Sequence, residues 1–309
     1  MRCPVLRLDH RIRARRLLRR ALAASARPSV VRVTSLSAER RIATFETEFP
    51  RLALIVAAAA AGGAVNSIAG GGTLLTFPAL IGLGIPAITA NATSTVALWP
   101  GAVGSMMGYM GELQGARAWA IRFAIPSLAG GLLGALLLLV TPPDRFDALV
   151  PWLVLGATVL FLAQRPAMRW LRNRRPRDAA DANDDPAQRP PSAAVLVYQF
   201  GVAIYGGYFG AGIGILMLAA LGFMGFTNIH RMNGLKNWGG LCTNFMAAVT
   251  FALSGRVNWP VAAAMAAGAL IGGYGGSRMA QRVPQERIRG AIVLIGFVSG
   301  GWLLVARLS

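Results

Sequence analysis

Apolar residues run along this chain in blocks with almost no charge inside them. The blocks cover about 52–84, 89–110, 118–140 and 147–164, and after a polar stretch they resume at about 193–226, 230–253, 258–280 and 287–307. A helix needs about 20 apolar residues to cross a hydrocarbon core of about 30 Å. The pattern therefore predicts an all-α membrane protein with about eight transmembrane helices, arranged as two sets of four.

The two sets resemble each other. The first opens on Gly62-Gly63-Ala64-Val65-Asn66-Ser67-Ile68-Ala69-Gly70-Gly71-Gly72-Thr73, and the second on Gly206-Gly207-Tyr208-Phe209-Gly210-Ala211-Gly212-Ile213-Gly214. A polar-dotted span follows in each, with Asn91, Thr93, Ser94 and Thr95 in one and Asn233, Lys236 and Asn237 in the other. Each third span holds a glycine cluster, Gly130-Gly131 with Gly134 against Gly272-Gly273 with Gly275-Gly276. The shift stays near 140 residues, and an internal repeat of this kind in a membrane chain points to a transporter architecture. The predicted organisation is a basic, disordered cytoplasmic arm over 1–50, a first repeat over 51–164, a cytoplasmic linker over 165–192 and a second repeat over 193–309.

Composition agrees, with 55% hydrophobic and only 14% charged residues; soluble domains carry about 25% charged. The net charge of +19 does not imply nucleic acid. Its excess lies in the arm and around Arg165–Arg177, beside apolar spans, where basic residues set membrane topology. Four simple crossings between arm and linker would place both in the cytoplasm. One loop resists that scheme. Arg278, Arg282, Arg287 and Arg289 would then face outward, unless a glycine-broken segment enters the membrane and does not cross it.

Two features carry candidate chemistry. Gly70, Gly71 and Gly72 interrupt a segment too long for one straight span, since glycine is unfavourable inside a helix. Broken backbone at membrane depth is tolerated where it lines a cavity, and a half-helix starting near Thr73 would offer free N–H groups to an anion. Gly210, Gly212 and Gly214 repeat the arrangement. Close helix packing through small residues is the competing explanation. The second feature is Lys236, the only lysine in the chain, inside a span beside Asn237. An ionisable group there marks a functional site unless it snorkels to the interface. Asn66, Asn91, Ser94 and Thr95 complete the candidate anion ligands. No metal-ligand spacing, phosphate loop or nucleophile motif is present, so neither an enzyme nor a cofactor is expected.

The stretch from Ala64 to Leu80, with Asn66-Ser67, the glycine triplet, Thr73 and Pro78, resembles the first repeat of the sulfite exporter TauE/SafE family. The later Asn/Thr-bearing span, the second Gly-x-Gly segment and the Lys-bearing span are similar too, so that the resemblance extends over about 52–307. It implies an inner-membrane, multi-pass transporter of sulfite, sulfonates and related anions, with export as the usual direction. Ser94-Thr95-Val96 departs from the family pattern, which often has a basic residue after its Thr-Asn pair. The implied partners are a small inorganic or organic anion and the lipid bilayer, without nucleic acid; a homo-oligomer is compatible with the pattern. A membrane-embedded accessory protein without transport is the alternative.

Overall fold

A computed structural model describes residue 50 and residues 52–67, 70–173, 190–224, 226, 228–279 and 285–308. The arm over 1–49 and most of the linker, 174–189, lie outside the described residues. The rest is helical, with no strand among the described residues. The helices are α1 (Leu52–Ser67), α2 (Thr73–Gly82), α3 (Ala87–Tyr109), α4 (Arg117–Val140), α5 (Pro143–Asn173), α6 (Ala193–Tyr208), α7 (Ile213–Phe223), α8 (Ile229–Leu253), α9 (Trp259–Met279) and α10 (Gln285–Leu308). The order short, short, long, long, long thus occurs twice. Helix α5 continues past the end of its apolar run at 164 into residues expected in the linker; Met168, Leu171 and Arg172 are good helix formers.

Both glycine breaks are present, and each is a reversal. Gly70 has φ +75°, and its N–H bonds to Asn66 O at 3.0 Å. Gly210 has φ +81° and closes on Tyr205 O at 3.4 Å. A left-handed glycine is the usual way to satisfy the last carbonyls of a helix. After each one the chain turns back. A Cβ placed on Gly62 would lie 2.9 Å from Thr76 Cγ2, although fourteen residues separate the two. Straight continuation would put those residues about 20 Å apart. In the second half, Tyr198 Oη donates to Leu216 O at 3.2 Å, joining α6 to α7 in the same way. Each pair is therefore a helical hairpin that enters and returns.

This changes the topology. Three long helices follow each hairpin, so α1 and α6 start at opposite ends of the bundle. Side-by-side contacts give the directions. Gly101 meets Ala269, Gly104 meets Leu270 and Tyr274, and Gly108 meets Ser277, so α3 and α9 run parallel. Gly234 meets Glu112 while Trp99 stacks near Phe245 at 5.6 Å, so α8 runs against α3. The first half is thus inverted with respect to the second. The scheme of equal crossings fails because the broken segments reverse, and the end of α9 at Arg278 lies at the same end of the bundle as Arg117.

Glycine permits the closest contacts. Gly268, Gly272 and Gly276 of α9 receive Val56, Ala60 and Ala64 of α1, with backbone atoms of α1 where a Cβ would sit. Gly130 and Gly134 of α4 receive Phe200, Ala203, Ile204 and Tyr208 of α6 in the same manner. Each hairpin's first helix therefore packs on the other half's second long helix. Small residues at every fourth position are what membrane helices use for close approach. Helices α3 and α8, which hold most of the buried polar side chains, lie at the centre; α3 buries Asn91, Thr93, Ser94, Thr95 and Ser105. Their polar groups are shielded from lipid by the surrounding helices, as spanning structure requires.

Candidate functional site

The tips of the two hairpins touch. A Cβ on Gly70 would lie 2.7 Å from Gly214 Cα, so the two backbones meet with no side chain between them. Beside this contact is a cavity of about 20 Å³ lined by Asn66 and Gly70 from the first hairpin, Ile213 and Gly214 at the start of α7, Ala102 and Ser105 of α3, and Lys236, Asn237, Gly240, Leu241 and Asn244 of α8.

Lys236 is 2% exposed. Its Nζ donates to Ser67 O at 3.3 Å, the last carbonyl of α1. A cation suits this position, because terminal carbonyls lack intrahelical partners and carry the negative end of the helix dipole. Asn237 is 8% exposed, and its Nδ2 donor has no hydrogen-bond partner among the described residues. Across the cavity, α7 presents its first turn. The N–H of Ile215 is bonded to Gly212 O, but the residues ahead of it, Ile213 and Gly214, lie at the helix start where N–H groups are unclaimed by the helix. An ammonium, an amide donor and a helix N-terminus converge here, and no carboxylate lines the space among the described residues.

The cavity collects five of the residues singled out in the sequence: Asn66, Gly70, Gly214, Lys236 and Asn237. Others are engaged elsewhere. Gly71 faces the Phe161 ring, and Gly72 faces Gly62 O at the turn into α2, so Thr73 starts its helix away from the cavity lining. Ser94 Oγ pairs with Thr76 Oγ1 at 2.6 Å, Thr95 Oγ1 donates to Asn91 O at 2.9 Å, and Asn91 Nδ2 donates to Tyr208 O at 3.0 Å. Gly210 and Gly212 shape the second turn, both with φ near +80°. Sequence reasoning did not place Ser105 or Asn244 in the site. Ser105 bonds back to Gly101 O at 2.9 Å, and a serine in a small-residue helix face gives no signal of its own.

Comparison with known proteins gives a consistent result. A probable membrane transporter protein, ORF9, of Sinorhizobium sp is 29% identical over 250 residues, covering 80% of this chain and 90% of its own length. A probable membrane transporter protein of Haemophilus influenzae is 27% identical over 254 residues, with coverage of 80% and 92%. Escherichia coli YfcA, also described as a probable membrane transporter protein, is 27% identical over 248 residues, with coverage of 78% and 84%. No solved structure gives a significant match. The family described as sulfite exporter TauE/SafE matches residues 54–303, which run from the third residue of α1 to within α10 and so take in nearly all of both halves. This chain therefore belongs to the TauE/SafE family of membrane transporters and is not an enzyme.

Proposed function

We propose that the protein moves small oxyanions of sulfur, such as sulfite or sulfonates, out of the cell across the inner membrane. The observation that carries this reading is the convergence of Lys236, the Asn237 amide donor and the α7 N-terminus on one cavity with no carboxylate among its described lining residues. Charge-assisted donors and a helix N-terminus are a fitting environment for an oxyanion. Discontinuous helices meeting at depth, in halves of opposite orientation, are the arrangement by which many transporters expose one site to each side in turn.

Direction follows from the membrane potential. A unit negative charge leaving a negative interior gains about 2.3 kcal/mol per 100 mV, so export of an anion requires no coupling ion. At about 20 Å³ the cavity has room for roughly one water. Sulfite has four heavy atoms, so entry requires the hairpin tips to part from the long helices.

Arginines support an orientation. Arg117, Arg122, Arg165, Arg169, Arg172, Arg231, Arg278, Arg287 and Arg289 belong to helix ends on one side of the bundle, against Arg145, Arg256 and Arg307 on the other. The first side is assigned to the cytoplasm by the positive-inside rule. The excess remains even when Arg32, Arg40, Arg41 and Arg51, those of the arm's arginines within about 20 residues of α1, are counted with the second side. In this reading the linker is cytoplasmic and α1 starts at the opposite end of the bundle, contrary to the placement expected from equal crossings.

The deciding test is flux from proteoliposomes across a panel of sulfite, sulfate, short sulfonates and chloride, with an imposed potential. Potential-driven movement of sulfite or a sulfonate is expected. Wild-type protein that moves none of them would overturn the reading in favour of an accessory role.

A further inference from the structure

Two hydrogen bonds cross between the halves in matching fashion. Lys236 of α8 donates to Ser67 O at the end of α1, and Asn91 of α3 donates to Tyr208 O at the end of α6. In each case a long helix of one half reaches the C-terminus of the first helix in the other half's hairpin, where carbonyls lack helical partners. The two bonds differ in kind and in place. Lys236 is charged and lines the cavity, whereas Asn91 is neutral, fully buried and outside the cavity lining.

We propose that Asn91 is a positioning residue for the anion site, acting through the α6–α7 hairpin; this rests on the anion-binding reading above. Tyr208 is followed by only Phe209, Gly210, Ala211 and Gly212 before Ile213 and Gly214, which line the cavity. Within the hairpin, Tyr205 Oη donates to Ala211 O at 2.8 Å and ties the turn to α6. The end of α6 therefore sets where the first turn of α7 stands, and Asn91 sets the end of α6. A shift of about 1 Å at a positioned group is enough to lose much of its effect. Lys236 has a different part. A bound oxyanion competes with Ser67 O for the ammonium, and an ionised acceptor attracts it more strongly than a neutral carbonyl. The first hairpin is thereby loosened as the anion binds, while the neutral Asn91 bond keeps the second in place.

Stability alone does not account for Asn91. Its Oδ1 has no hydrogen-bond partner among the described residues, and burying an unmet acceptor is unfavourable. Asn91→Leu removes both the bond and the orphan oxygen, so a purely structural side chain would be replaced with little effect on function.

The test uses full-length protein in nanodiscs, with sulfite as the probe. Calorimetry measures binding, hydrogen exchange is followed at residues 206–216 and 60–67, and thermal unfolding monitors the fold. Asn91→Leu is expected to weaken sulfite binding about tenfold and to speed exchange at 206–216, with the melting temperature near that of wild type. Lys236→Met is expected to weaken binding as well, but to leave 206–216 at the wild-type rate and to speed exchange at 60–67. Unchanged sulfite affinity in Asn91→Leu overturns the proposal. Weakened binding without faster exchange at 206–216 also overturns it, by making Asn91 a direct ligand. Should Asn91→Leu not fold, Asn91→Asp replaces the amide donor at constant size and is read by the same criteria. Wild-type protein that binds no oxyanion defeats the transport reading instead, and the exchange comparison then still decides whether Asn91 holds the end of α6.

Discussion

Replacing Lys236 by methionine removes one charge while keeping the length and apolar volume of a fully enclosed side chain. Two losses follow. The bond to Ser67 O at 3.3 Å disappears, which costs about 1 kcal/mol of hairpin stability. The larger loss falls on the anion. A unit charge about 4 Å from the ammonium gains about 4 kcal/mol at an effective dielectric of 20, and stripping water from both groups offsets much of it. A net third of that figure, about 1.4 kcal/mol, is a factor of about ten in rate. Reconstituted Lys236→Met is therefore expected to insert and fold normally and to move sulfite at about one-tenth of the wild-type rate or less. Lys236→Arg should recover only part of this, because a planar fork does not fit where a compact ammonium stood. The assay is anion efflux from liposomes of matched protein content. If Lys236→Met moves every anion at the wild-type rate, the charge does not hold the substrate and the site assignment fails.

Gly70→Ala should destabilise the protein by about 1–2 kcal/mol from its left-handed φ alone, and by more because its Cβ would press on Gly214 backbone at 2.7 Å; thermal unfolding in detergent would register the drop. Gly156→Ala, where nothing lies within 4 Å of the added carbon, should be neutral or slightly stabilising in the same measurement. Gly272→Ala should prevent proper assembly, since its methyl group would fall on Ala60 O; size-exclusion profiles would show aggregated or depleted protein. For orientation, a cysteine at Gln114 should be labelled by a membrane-impermeant maleimide only after permeabilisation, and one at Arg256 in intact cells. The reverse pattern would invert the assignment of the two ends.

Much of the architecture was legible in the sequence because bilayer thickness leaves few options for long apolar blocks. The positions of both helix breaks could be read from Gly70–Gly72 and Gly210–Gly214, since glycine is poorly placed inside a helix. Whether the chain bends or reverses there could not. That outcome depends on Gly62 meeting Thr76 and Tyr198 meeting Leu216, contacts that exist only once the hairpins are packed. The unplaced arginines near Arg278 were the sequence-level sign of reversal, and re-entry was the alternative they left open. Within the site, Lys236 stood out because an ionisable group at membrane depth has few tolerable surroundings. Asn91, Ser94 and Thr95 looked equivalent to it as hydrogen-bonding residues in the corresponding span. The partners of Asn91 and Ser94, Tyr208 O and Thr76 Oγ1, come from other helices, and no periodicity in α3 reveals that.

The exchange of packing partners between the halves has a consequence for synthesis. Helix α6 settles on α4, which has already emerged when α6 is made. Helix α1 needs α9, and Ala60 must wait for Gly272, about 200 residues later. At about 5–20 residues per second, the first hairpin spends roughly 10–40 s without its proper neighbour. Throughout that interval the narrow faces of Val56, Ala60 and Ala64 stay open to the insertion machinery, to lipid or to unrelated helices. The N-terminal half is thus the first to enter the membrane and the last to be completed, and a nascent chain halted before α9 leaves the ribosome with its opening hairpin still unhoused.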